Sequence, residues 1–257
     1  MPELFRHQDT FFGCLSVQRL EPPAFDAETS AAFTALGEAL WHRVGAEHVL
    51  LATRGFDLGF SERCPALDDA RRCSLHGGGK PAICRVVPLD ALLPDRAQHL
   101  VLASREVQAQ YFDSDCIEPG VRPGFDVITR RLSVVNSEAS AALALRRNDL
   151  AAERRSWGDA VFRMFARELF ASPAALDRVP RAGFMTLSIA PVLLVLAAQS
   201  RELRARCGAY LQAQAALAAR LLEDAAARGF SGRDSTRTLA AFARTNARLL
   251  TELKAAP

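Results

Sequence analysis

Cys64, Cys73 and Cys84 lie in one segment, "RCPALDDARRCSLHGGGKPAICRVVPLD" (63–90), which carries half of the six cysteines of the chain. Eight and ten residues separate them, so none stands in a CxxC pair and a zinc knuckle of tight turns is excluded. Metal binding is not excluded. A tetrahedral thiolate site needs only convergent sulfurs, and the Pro and Gly between these cysteines supply the reversals that convergence requires. A metal closing such loops adds folding free energy, because its ligands are not assembled in the unfolded chain. The competing reading is that cysteine is a small, usually buried hydrophobe. Spacing alone leaves both open.

The residues also resemble a family. "CPALD", "RRCSLH" and "KPAICRVVPL" are similar to the core of the YkgJ-type family, described as zinc- or iron-chelating domains. That pattern has a Cys followed by a small apolar stretch and Asp, a second Cys, then Arg-Pro-x-x-Cys-Arg-x-aromatic-Pro. Cys64, Cys73 and Cys84 occupy the three cysteine places, Lys80-Pro81 stands for Arg-Pro, and Arg85 for the Arg that follows. The resemblance implies an upstream ligand, matched by Cys14 in "FFGCLSV", and a downstream one, matched loosely by Cys116 in "DCIEPG". It covers about residues 11–120. The chain departs from it in offering Cys14 alone where adjacent cysteines are usual, Lys80 for Arg, and Val87 for the aromatic. Flagellin lysine-N-methylases carry a similar cysteine cluster. The expected cofactor is therefore an iron–sulfur cluster of the 4Fe–4S type or Zn²⁺, on Cys14, Cys64, Cys73 and Cys84 with Cys116 as substitute or fifth ligand, and Arg85 offsets the thiolate charge.

Other residues are read as structural. His76 follows Cys73 and imidazole does serve in Cys₃His sites, but the resembling pattern has an aromatic there. Cys207, in "ARCGAYL", is expected to pack in a helix. "HGGGK" (76–80) echoes an esterase oxyanion loop without a G-x-S-x-G nucleophile, and a phosphate loop with Pro81 where Ser or Thr is needed. Asp68 and Asp69 are adjacent in a loop with no apolar pocket to separate their pKa values.

Composition bounds the rest. At 49% hydrophobic and 24% charged residues with a net charge of +3, the chain reads as globular, with no support for a nucleic-acid partner. The first residues lack a continuous apolar run, so the expected compartment is the cytoplasm, where disulfides are rare. Ala182–Ser200, "AGFMTLSIAPVLLVLAAQS", carries no charge and is long enough to span a bilayer, but Pro191, its hydroxyl residues and Gln199 favour a buried helix entered near Pro191. No membrane partner is expected.

The elements that position these residues follow from periodicity. Asp26 caps a helix with Phe33, Leu36, Leu40, Trp41 and Val44 on one face, and "HVLLAT" (48–53) and "HLVLAS" (99–104) read as strands. Trp157, Val161, Met164 and Phe165 predict a helix over 154–170. Tyr210, Leu211, Gln214, Leu217, Leu221 and Ala225 predict a second, ending at Gly229, and Leu239, Phe242, Asn246, Leu249 and Leu253 a third, capped by Asp234 or Ser235.

The expected fold is α+β: a cysteine-rich, loop-rich metal-binding part (1–135) packed against a C-terminal helical bundle (136–257). The expected function is metal binding, with the metal structural, since four protein thiolates leave no open coordination position. Two alternatives are an enzyme modifying a protein or peptide, its substrate site organised by the cluster, and an adaptor docking a protein or peptide partner through the helical half. No nucleophile, base or cofactor loop is legible for the enzyme.

Overall fold

The computed structural model describes all residues except 1, 21–23, 59–63, 71, 78, 112–119, 122 and 256–257. It is α+β. In chain order come β1 (Gly13–Leu20), α1 (Ala27–Leu40), β2 (His42–Val44), β3 (Glu47–Gly55), α2 (Ala82–Arg85), α3 (Gln98–Tyr111), β4 (Thr129–Arg130), β5 (Ser133–Val134) and α4 (Ser137–Glu153). A π-helical turn (Arg154–Gly158) leads into α5 (Asp159–Phe165), followed by α6 (Pro173–Leu176), β6 (Met185–Ser188), α7 (Ala190–Ala197), α8 (Arg201–Ala227) and α9 (Asp234–Ala255).

Two compact units emerge. One comprises Met1–Glu21, Trp41–Gly77 and Glu153–Pro257, the other Pro22–Leu40 and Gly78–Ala152. This division does not follow the expected boundary at residue 135. The reason is strand pairing: β6, from the C-terminal half, lies antiparallel on β1, with Cys14 opposite Ser188 and Val17 opposite Met185.

The first unit is built on a four-stranded antiparallel sheet in the order β2-β3-β1-β6. Period-2 alternation sends Leu15 and Val17 of β1 and Val49 and Leu51 of β3 into one hydrophobic cluster with Trp157, Val161, Val192, Leu193, Tyr210 and Leu211. Cys14, Ser16, Leu50 and Ala52 on the alternate positions are buried as well. At the end of β1, Arg19 is 3% exposed; its guanidinium donates to Glu47 at 2.7 and 2.8 Å, to Asp177 Oδ1 at 3.0 Å and to the Leu176 carbonyl at 3.4 Å. A buried guanidinium persists only with its donors used in this way.

Helices α8 and α9 follow the predicted stripes. Tyr210, Leu211, Gln214, Leu217 and Ala225 of α8 are buried, as are Leu239, Asn246 and Leu249 of α9. Ser200 caps α8 through its hydroxyl, which accepts the Leu203 amide. Gly229 closes α8 at φ +73°, and the Phe230 amide returns to the Ala225 carbonyl, the exit that favours glycine.

In the second unit Asp26 caps α1 as expected, accepting the Thr29 amide at 2.7 Å, and Phe25 packs against Phe33. Gln98, fully buried at the start of α3, pins the preceding loop: its amide accepts Asp90 N and donates to the Asp90 and Leu93 carbonyls. Arg147 of α4 adds bonds to the Ala91 and Leu93 carbonyls and to Asp95.

Two expectations are corrected and one is refined. The strand predicted at 99–104 is helical, within α3, because Gln98, Leu100, Ala103, Arg105 and Glu106 are strong helix formers and Val101 is the lone β-branched residue of that run. The helix predicted over 154–170 begins as a π-turn and ends at Phe165. Within 182–200 the expected buried helix, α7, is entered at Pro191 in its first turn, where a missing amide costs nothing, and a short strand, β6, precedes it. Among the described residues no helix is long and apolar enough to cross a membrane.

Gln214 joins α8 to the start of β1. Its carbonyl accepts Gly13 N at 2.6 Å, and its amide donates to the Gln8 and Phe11 carbonyls at 2.7 and 3.2 Å. Gln214→Leu keeps the volume and orphans these backbone groups, so the urea unfolding midpoint should fall by the equivalent of about 2 kcal/mol. An unchanged midpoint would show that the clamp is dispensable.

Candidate functional site

The segment from Cys64 to His76 is held by its own backbone. The Leu67 amide donates to the Cys64 carbonyl at 3.0 Å, Leu67 and Cys73 form an isolated antiparallel bridge, and Ser74 donates to the Ala66 carbonyl through both its amide and its hydroxyl at 2.8 Å. Asp68 fixes the reversal: its amide donates to the Arg72 carbonyl, and its carboxylate accepts the Arg72 amide at 2.8 Å. This is the turn role that short acidic side chains fill, and it accounts for Asp68 without acid–base chemistry. His76 is exposed and donates its amide to the Cys73 carbonyl.

The cysteines fall into two groups. Cys64 is exposed and Cys73 and Cys84 half-buried, whereas Cys14 and Cys207 are buried; all five are reduced. Cys14 sits in β1 opposite Arg54 and donates its thiol to the Arg54 carbonyl at 3.4 Å. Burial pushes its pKa up to about 12, against the opposing pull of Arg54. Cys207 packs in α8, as expected, with its sulfur 3.7 Å from the Leu193 carbonyl and its pKa pushed up to about 11 by burial. Tyr210 lies near both thiols; burial, then the neighbouring Cys14 and Cys207, hold its hydroxyl well above the ordinary phenol value.

Cys84 belongs to the second unit. Pro81 precedes the four-residue helix α2, and its carbonyl accepts the amides of Cys84 and Arg85 at 2.8 and 2.9 Å. Arg85 is exposed and its Nε donates to the Lys80 carbonyl at 2.8 Å. Cys116 lies outside the described residues.

The donor chemistry of Cys64, Cys73 and Cys84 suits zinc or an iron–sulfur cluster. Cys14 stands apart from them: it is 1% exposed near the start of β1, a strand paired on both edges, and its thiol is bonded to the Arg54 carbonyl. Among the described residues no three His, Cys, Asp or Glu side chains gather as a bound metal ion requires.

A second constellation was not foreseen from the sequence. It gathers at the π-turn, where one extra residue per turn interrupts the helical register. Just before it, Glu153 is 7% exposed, and its carboxylate accepts the Thr53 hydroxyl at 2.5 Å and the Thr53 amide at 3.3 Å. Just after it, Asp159 meets His42 Nε2 at 3.0 Å and Arg154 at 3.4 Å. The His42 ring lies flat on Phe162, 4.4 Å between centroids, and Phe162 stacks in turn on Phe170 at 4.6 Å. Burial, then Arg154, lower the His42 pKa, and Asp159 opposes them. This cluster joins sheet to helix. Glu153 and Asp159 sit in "AAERRSWGDAV" as ordinary helix-face charges, so no sequence signal marked them.

Compared with protein-family models, with curated proteins and with solved structures, the chain matches none.

Two outcomes follow from these environments. In protein stripped of metal by a chelator, at pH 8, a thiol reagent should modify Cys64 fastest, while Cys14 and Cys207 react only after unfolding, since their thiols stay protonated. Peptide mapping that finds Cys14 labelled in folded protein would overturn its placement. The depressed pKa of His42 means that the unfolded state takes up a proton first as pH falls, so its contribution to stability is intact above the ordinary value of 6.5 and lost below it. His48, lowered by burial and then by Arg43, acts in the same direction. The melting temperature should therefore drop on going from pH 7.5 to pH 5.5, and His42→Asn should flatten part of that slope.

Proposed function

We propose that this chain is a metal-binding protein in which Cys64, Cys73 and Cys84 hold a zinc ion or an iron–sulfur cluster in a structural role. Cys116 enters as the fourth thiolate on the family resemblance, in the place first expected of Cys14. One observation carries the reading: among the described cysteines, Cys64, Cys73 and Cys84 are exposed or half-buried, while Cys14 and Cys207 are fully buried. Free cysteine ranks among the most buried residue types, so three that stay near solvent in one segment are held there for their sulfur rather than for packing.

When bound, the metal would supply cross-linking of loops that otherwise rest on short backbone turns. The chain contributes the soft donors and a neighbouring cation: Arg85 follows Cys84 directly and offsets thiolate charge. Because a metal gathers ligands that are dispersed beforehand, its binding free energy becomes folding free energy of this segment.

The test is metal and acid-labile sulfide analysis, with an absorption spectrum, on protein purified without oxygen and after reconstitution with Zn²⁺ or with iron and sulfide. Wild-type protein should retain close to one zinc or one cluster per chain. Cys64→Ala, Cys73→Ala and Cys84→Ala should each lose it and melt lower, whereas Cys14→Ala and Cys207→Ser keep their metal. Wild-type protein that stays metal-free after both reconstitutions, or a Cys73→Ala variant at full occupancy, would overturn the proposal.

A further inference from the structure

The antiparallel pair α8 and α9 borders a solvent-open groove of about 420 Å³ at the end where α8 begins and α9 finishes. That volume falls within the range of small-molecule sites, about 300–1,000 Å³. Its α8 wall is one helical face: Arg201, Arg204, Ala205, Gly208, Ala209 and Gln212 recur at spacings of three and four. Small side chains in the middle of that face make the groove. A Cβ at Gly208 would meet nothing within 4 Å, so the space above it is open. Leu250 and Leu253 of α9, both half-buried, form the opposite wall.

Charge is distributed unevenly along it. Arg201 and Arg204 stand at the start of α8, and Lys254, in the last turn of α9, joins them at the same end. Among the described residues no carboxylate lines the groove: Glu202 is absent from its walls, and Glu252 pairs with Arg248. The N-terminus of α8 adds its partial positive charge there, partly offset by the C-terminus of α9. From Arg201 to Gln212 the groove runs about 16 Å, at 1.5 Å per residue. Cations at one end, an alkyl-lined trough beyond them and no aromatic ring to stack on describe a complement to an unbranched chain with one anionic head.

We propose that the α8–α9 groove binds a long-chain carboxylate, its alkyl chain lying over Gly208 between Ala205, Ala209, Leu250 and Leu253, and its head paired with Arg201 and Lys254. Arginine presents a planar donor fork that matches a carboxylate, and lysine adds a point charge. Neither the head nor the tail contact involves a cysteine, so the groove and the metal reading stand or fall separately.

Isothermal titration calorimetry with dodecanoate, kept below its micelle concentration, tests the assignment on the full chain. Wild-type protein should bind one equivalent saturably, more weakly as salt rises, and should bind dodecyltrimethylammonium, which carries the opposite head charge, at least tenfold more weakly. Gly208→Leu fills the trough from a helical position with open space, and should weaken binding at least tenfold while its melting temperature stays at or above that of wild type. Arg201→Gln with Lys254→Gln should weaken dodecanoate and reduce its salt dependence, without raising affinity for the cationic amphiphile to the same level. No saturable heat with dodecanoate, equal binding of the two amphiphiles, or undiminished binding by Gly208→Leu would each overturn the proposal.

Discussion

Everything in the first unit depends on β1 being paired along both edges. β3 takes one edge over its whole length, β6 takes the other over Cys14–Val17, and the side chains of the strand are buried on both faces. A strand so placed has no room for an unpaired polar group, because desolvating a backbone amide without a partner costs more than a typical hydrogen bond returns. Its two ends show how this is met. At the start, Gln214 satisfies Gly13 from a helix 201 residues away in sequence; at the finish, Arg19 is neutralised by Glu47 and Asp177. Hydrophobic burial drives the layer together, and these two polar clamps fix its register.

The same constraint sorts the cysteines. From sequence, Cys64 stands in the resembling core and Cys14 matches only its upstream ligand, yet both are candidate ligands. In the folded chain Cys14 is a strand residue with a thiol bonded to the neighbouring strand, and Cys64 is exposed on a turn of its own making. Linear spacing reports how far apart two sulfurs are along the backbone and nothing about which of them the sheet will absorb.

How much was legible follows the same line. Helix α9 and the end of α8 were readable to within a residue or two, because an apolar stripe repeating every three to four positions over about four turns fits a helix and neither a strand nor a loop; α8 itself begins at Arg201, nine residues before the first residue of its stripe. Asp26, Gly229 and β3 were readable from local chemistry: a cap, a left-handed exit and a β-branched apolar run. β6 was not, since four residues of "MTLS" inside an uncharged stretch carry no period, and their strand identity comes from the edge of β1 that they complete. The π-turn and the His42–Asp159 contact were equally silent, because both are defined by what meets across the core rather than along the chain.

The interleaving of the two units bears on how the molecule is made. A ribosome releases β1 and β3 within the first 55 residues, yet the strand that covers the open edge of β1 is not synthesised until residue 185 and the helix that satisfies Gly13 not until residue 214. At about 5–20 residues per second, the nascent β1–β3 pair spends on the order of ten seconds with one edge of β1 unpaired. All segments of the other unit, ending at Ala152, leave the tunnel before that interval closes. The vectorial order of synthesis thus sets a long-range closure as the last event, and gives a nascent chain stalled ahead of residue 185 a sticky sheet border that a chaperone has reason to bind.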